Sequence, residues 1–259
     1  MSKYEKVRDD ILKGIQQNLE IGVDTNLIIE AALESEFDFL QQLKSYKLFK
    51  VAKEVQKELY SNSRREKFSH ISKVLKDFAD AMEGRTYGVP DDDLVKELFL
   101  LVPLLPRSVA TFAVVNFIES LLGKFRANLN SAATLNDQDL TKFAQEYQKG
   151  VKNLKNACEA QYFRVLKQLN IEEFDESEHV DEYFEDLENK LNAQIANLQR
   201  TVASIRSIRD IIEELSDLKQ KMYTSDMRIV ASSIENGVKT GSMDSDVDWL
   251  FIFHSFRHK

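Results

Sequence analysis

The stretch LVKELFLLVPLLPRSVATFAVVNFIESLLG, residues 94–123, is far more apolar than the rest of the chain. Its reading decides the fold, because it is either a membrane segment or the inside of a helical protein. A single bilayer-crossing helix takes about 20 consecutive apolar residues. Here the apolar runs cover only 98–105 and 109–118, and Pro106-Arg107-Ser108 parts them. Arg107 at the centre of a hydrocarbon layer would cost about 2.5 kcal/mol or more. The stretch therefore reads as two short helices, apolar on most faces and covered by amphipathic neighbours. The competing reading is a hairpin that enters a membrane as in helical pore-formers, for which Asn116 and Glu119 are poor lipid-facing residues.

The surrounding chain agrees with a helical interior. Eight Gly and three Pro among 259 residues are too few for the turns of an all-β protein. Apolar residues at helical spacing (Tyr4, Val7, Ile11, Ile15, Leu19) open the chain. After GVDTN, a second helix is expected from about 26 to 60, and a third carries Phe68, Ile71, Leu75 and Phe78. The segment GRTYGVPDDD reads as a loop. Beyond NSAATLNDQD, at 130–139, a helix is expected over 137–170. The last and longest is expected over 177–234, without Pro or Gly. With Phe184 at heptad position a, the a series includes Leu191, Leu198, Ile205 and Ile212, and the d series Leu187, Ile208, Leu215 and Met222. Polar Gln194 and Thr201 interrupt this coiled-coil pattern. The chain closes with a polar segment and the apolar hook Trp249-Leu250-Phe251-Ile252-Phe253.

The expected fold is thus all-α: an elongated antiparallel helical bundle with one very long coiled-coil-like C-terminal helix. Three regions are expected: N-terminal helices over 1–88, the apolar pair and a long helical hairpin over 89–235, and a flexible tail with its hook over 236–259.

Charge is unevenly spread. The net charge is −8, but residues 171–189 hold ten acids and no Lys or Arg, whereas 44–76 carry a net +7. The basic residues Lys44, Lys47, Lys50, Lys53, Lys57, Arg64, Arg65, Lys67, Lys73 and Lys76 are the candidates for a polyanion site, lipid or nucleic acid. Pairing with the chain's own acidic run is the plainer alternative. No base-stacking platform of aromatic residues is expected beside these bases, which argues against nucleic acid. Trp249, Leu250, Phe251 and Phe253 are candidates for docking a partner protein.

Chemistry is not signalled. Glu176 and His179 form one Glu-x-x-His, where a di-metal bundle site needs two. Asp91-Asp92-Asp93 and Glu213-Glu214-Leu215-Ser216-Asp217 are weak matches to magnesium–diphosphate motifs and read as a helix start and a polar helix face. Phosphate loops, nucleophile elbows and zinc spacings are absent from the sequence. Cys158 falls on an apolar stripe, as a buried small hydrophobe. No cofactor, metal, catalytic residue or small-molecule substrate is expected. The charged start MSKYEKVRDD predicts no secretory leader, and the lone cysteine suits a reducing, cytoplasmic setting. The expected function is a non-enzymatic scaffold or adaptor using protein–protein contacts or self-association through the long helix. The alternative is a membrane-engaging, peripherally attached protein, either a curved dimer of BAR-like shape or a pore-former.

Overall fold

The computed structural model describes residues 2–125, 136–171, 174, 179–204, 207–220 and 223–258. It is all-α apart from very short extended pieces. The chain divides into two units, residues 1–99 with 223–252, and residues 100–222 with 253–259.

The first unit starts with α1 (Lys3–Gln16), whose N-terminus Ser2 and Glu5 close as a capping box. Asp24 caps α2 (Thr25–Leu33), and α3 (Phe37–Ser45) follows. Then come α4 (Lys53–Ser63), a 3₁₀ turn at Glu66–Ile71 and α5 (Ser72–Ala81). The helix expected over 26–60 is therefore three helices. Its first break is at Ser35, in a left-handed conformation with φ 60°. The Glu36 amide reaches back to the Ala31 carbonyl and satisfies the helix end without a glycine. The second break is a turn at Lys47 and Leu48, closed by the Phe49 amide on the Tyr46 carbonyl, and then extended backbone over 49–52, where Lys50 faces solvent and Phe49 and Val51 are buried. That alternation has the period of a strand.

The extended pieces lie side by side. β1 (Gly22–Val23) pairs in parallel with β2 (Thr240–Gly241). On the other side Ile21 bridges Phe49, and Val51 bridges Thr86. Four segments far apart in sequence thus form one short parallel ladder within this unit. α12 (Thr224–Glu235), β2 and the first part of α13 (Ser245–Arg257) complete it. Ile229 joins the core of Leu27, Ile28, Leu43, Phe49, Val55 and Phe78. Residues 236–258, expected as a flexible tail, are ordered instead as β2 and α13. Composition hid this, because Thr240 and Gly241 gain their strand partners from β1, which lies at 22–23, far earlier in the chain.

α6 (Asp92–Leu101) leads from the first unit into the second. There a 3₁₀ turn at Val102–Leu104 precedes α7 (Pro106–Lys124), whose first residue is the proline. α7 is packed by α8 (Asp137–Val151), α9 (Leu154–Gln168), α10 (His179–Ser204) and α11 (Ile208–Lys219). Val109, Ala110, Ala113, Val114, Val115, Ile118, Leu121 and Leu122 are all buried. Each large side chain so removed from water stabilises by about 1.5–3 kcal/mol. Much of the opening stretch is thus interior, although Phe99, Leu100 and Phe112 are exposed. Among the described residues no single helix is long and apolar enough to cross a membrane, and the two helices 92–104 and 106–124 reach that length and composition only as a pair bent by 55°.

The helix expected over 177–234 is likewise divided. Ser207 is extended and caps α11 by accepting from the Arg209 amide, and α12 begins beyond Tyr223. The longest of these pieces, α10, has 26 residues. The helix expected over 137–170 turns at Lys152 and Asn153, between α8 and α9.

Candidate functional site

The ten basic candidates run through the first unit from the end of α3 to α5. Lys44 is half-buried and the other nine are exposed. Lys50 pairs with Glu20 at 3.2 Å and Lys57 with Glu54 at 3.8 Å. The remaining eight make no ion pair with a carboxylate among the described residues, so the fold leaves most of this charge facing water. The Arg85 guanidinium donates to the Lys44 carbonyl at 2.6 Å and adds a further cation. Lys67 lies over the Phe68 ring at 4.6 Å. In the acidic run, Glu172, Glu173, Asp175, Glu176 and Glu178 lie outside the described residues; Glu188 pairs with Lys155.

Two exposed leucines adjoin the basic segment. Leu19 is 52 % exposed and Leu48 44 %. Their loops are tied together: Tyr46 Oη donates to the Leu19 carbonyl at 2.7 Å, and the Ile21 amide to the Leu48 carbonyl at 3.1 Å. Leu19 also edges a cleft of about 460 Å³, which Ile11, Ile21, Val238, Asp10 and Glu20 help to line. No sequence pattern separates these leucines from core ones, since helical spacing assigned Leu19 to the buried face.

The hook is inside. Trp249 is 5 % exposed, Leu250 and Phe253 are buried, and Phe251 is half-buried. Phe253 packs against Phe174 at 5.2 Å and Tyr183 at 5.9 Å in the second unit. The heptad residues are also used internally. Leu187, Leu191, Leu198, Ile208 and Leu215 are buried, while Ile205 and Met222 lie outside the described residues. Gln194, the polar flaw in the seam, donates to Thr111 Oγ1 at 2.5 Å. The a-position Ile212 is the exception at 45 % exposed, and the second unit also exposes Leu100, Phe112 on α7 and Phe163 on α9, the two rings 43 % and 58 % accessible. The Arg164 guanidinium sits 5.8 Å from the Phe112 ring centre.

A group of carboxylates missed in the sequence gathers where the helices α2, α12 and α13 begin. Asp24 accepts from the Thr25 amide at 2.6 Å and from Ser242 Oγ at 2.8 Å. Glu58 accepts from Thr25 Oγ1 at 2.6 Å and from Ser225 Oγ. Asp244 accepts from the Asp246 amide at 3.0 Å. Burial, reinforced by the Glu58 and Asp244 charges, pushes Asp24 up to about 6. Burial and the neighbouring Asp24, Asp244, Glu58 and Asp246 push Asp226 up to about 7. These contacts cap helices and join 24–58 to 225–246, a structural role that accounts for them.

The remaining sequence candidates are structural too. Asp91 accepts from the Asp93 amide, and Asp93 pairs with Lys96, as at a helix start. His179, whose Glu-x-x-His partner Glu176 is outside the described residues, faces the Phe256 ring. Burial pushes the Cys158 thiol up to about 12, far from nucleophilic reactivity at neutral pH. No family model, curated protein or solved structure matches this chain.

Proposed function

We propose that this protein is a non-enzymatic helical scaffold or adaptor acting through contacts with other proteins, a second copy of itself included. The observation that carries this reading is the exposure of Phe112, with the Arg164 guanidinium 5.8 Å from its ring centre, and of Phe163 on α9. Aromatic rings and arginine are the side chains that contribute most to protein interfaces. These three stand on helices fixed by the α7 core, so little ordering entropy is lost on contact. Of the heptad positions expected to form the partner seam, Leu187, Leu191, Leu198, Ile208 and Leu215 are buried on the helices that pack α7, and Ile212 is left exposed as a further apolar contact.

Sedimentation of the wild type and Phe163→Asp across a concentration series tests the reading. Association in the wild type that the variant loses is the expected result. A photo-crosslinker placed at 163 is expected to give protein adducts in the producing cells that one at exposed Lys149 does not. A strictly monomeric wild type with equal adduct yields at the two positions would overturn the proposal.

A further inference from the structure

We propose that the paired loops at 17–20 and 46–50, with the cations around them, dock the first unit on an anionic lipid surface. Two features meet there, and a third follows along the chain. First, Leu19 and Leu48 project into water from adjacent loops. The bonds from Tyr46 to Leu19 and from Ile21 to Leu48, with the Lys50 amide donating to Ile21 at 3.1 Å, hold the loops together. Neither leucine is free to fold into the core beneath, which Ile21, Phe49 and Val51 already fill. Second, Lys44, Lys47 and Lys53 come from the same 44–53 stretch and make no ion pair with a described carboxylate, and Arg85 is anchored on the Lys44 carbonyl. Third, beyond the far end of α4 the chain carries Arg64, Arg65, Lys67, Lys73 and Lys76, all exposed, which add to the positive charge of the unit.

An apolar tip flanked by lysines suits the boundary of an anionic bilayer. The leucines enter the acyl region and the ammonium groups stay with the phosphates. Nucleic acid would need exposed rings on which bases stack. In this segment Phe49 is buried and Tyr46, Tyr60 and Phe68 are half-buried, with the Tyr60 hydroxyl engaged by Asp80 at 2.7 Å. Glu20 offsets one cation, Lys50, and leaves the others.

The test is co-sedimentation of the full chain with vesicles of phosphatidylcholine alone or mixed with phosphatidylserine, each at low and high salt. Leu48→Asp and the pair Lys44→Glu with Lys47→Glu are compared, folding being checked by Trp249 emission. Binding to the serine-lipid vesicles, weakened by salt and reduced about tenfold or more in each variant, is expected. Absence of vesicle binding overturns the proposal, as does equal binding by folded variants. So does retention of a single-stranded RNA probe, rather than vesicles, that the charge reversals abolish.

Discussion

Asp226 shows how one side chain records the arrangement of three helices. Its carboxyl lies at about 7 instead of 3.8 because burial and four acidic neighbours oppose ionisation. The native state therefore binds more protons than the unfolded chain between about pH 4 and pH 7. Stability from this site is full below the unfolded value and is lost as pH rises through the folded one. A tenfold change in proton affinity corresponds to about 1.4 kcal/mol, though repulsion shared with Asp24 lowers what either group alone can return. Asp226 also stands in the first turn of α12, where a negative charge is worth about 0.3–1 kcal/mol. Asp226→Asn is expected to raise urea stability at pH 8 by about 1–2 kcal/mol and to leave it unchanged near pH 4. A less stable variant at pH 8 would contradict the repulsion described. Tyr183 makes the opposite case. Its hydroxyl donates at 2.7 Å to the Leu104 carbonyl, where the proline-bounded turn interrupts the helical ladder. Tyr183→Phe strands a buried acceptor and should cost about 1–3 kcal/mol in the same titration.

Between elements, the packing of α8 on α7 depends on a glycine. A methyl group at Gly150 would fall 1.9 Å from Cε2 of Phe117, and that ring is held at 5.7 Å from the Tyr147 ring. Gly150→Ala gains about 1 kcal/mol of helix propensity, but overpacking typically costs about 1–3 kcal/mol. The net expectation is a lower thermal midpoint, restored in part by Phe117→Leu; a midpoint above wild type would mean α8 stands further off. Where helices lie was legible from the apolar spacing, and so was the split of 94–123 into two helices at its prolines. Where helices end was not. Ser35 follows the end of α2 and Ser207 starts α11, neither beside a Gly or Pro, and the turn and short alternation over 47–52 lie hidden within a longer helical pattern. The exposed leucines and rings escaped for a related reason: periodicity says which residues suit burial, and neighbours decide which receive it.

At the scale of the whole chain, the largest departure from sequence expectation is the C-terminal return. Polar GVKTGSMDSD has a linker's composition, yet it supplies β2, Ser242 to Asp24, and the Met243 amide to Asn26 Oδ1 at 2.9 Å. Lys3 meets Asp248 at 3.0 Å, and the Asp91 amide meets Glu235 at 2.6 Å. None of these pairings could be inferred from a run of polar residues so far along the chain from its partners. If 236–259 were a flexible tail with a docking hook, Trp249→Ala would leave folding intact and alter only partner binding. Packed as it is, removing the indole should cost about 3–5 kcal/mol, the range for a large aromatic cut to alanine in a core. Such a loss would lower the unfolding midpoint by several degrees for a chain of this size. Trp249 is also the chain's single tryptophan, and lies in the first unit, so its emission in the wild type should be blue-shifted and should move to the red only as that unit opens. Far-UV circular dichroism, which follows the helices of both units, then provides the comparison. Coincident curves would make the units one cooperative system, while an earlier loss of tryptophan burial would place the weaker point where the C-terminal segment closes the first core. Unchanged folding in Trp249→Ala, with red-shifted emission in the native protein, would return the hook to solvent and to a docking role.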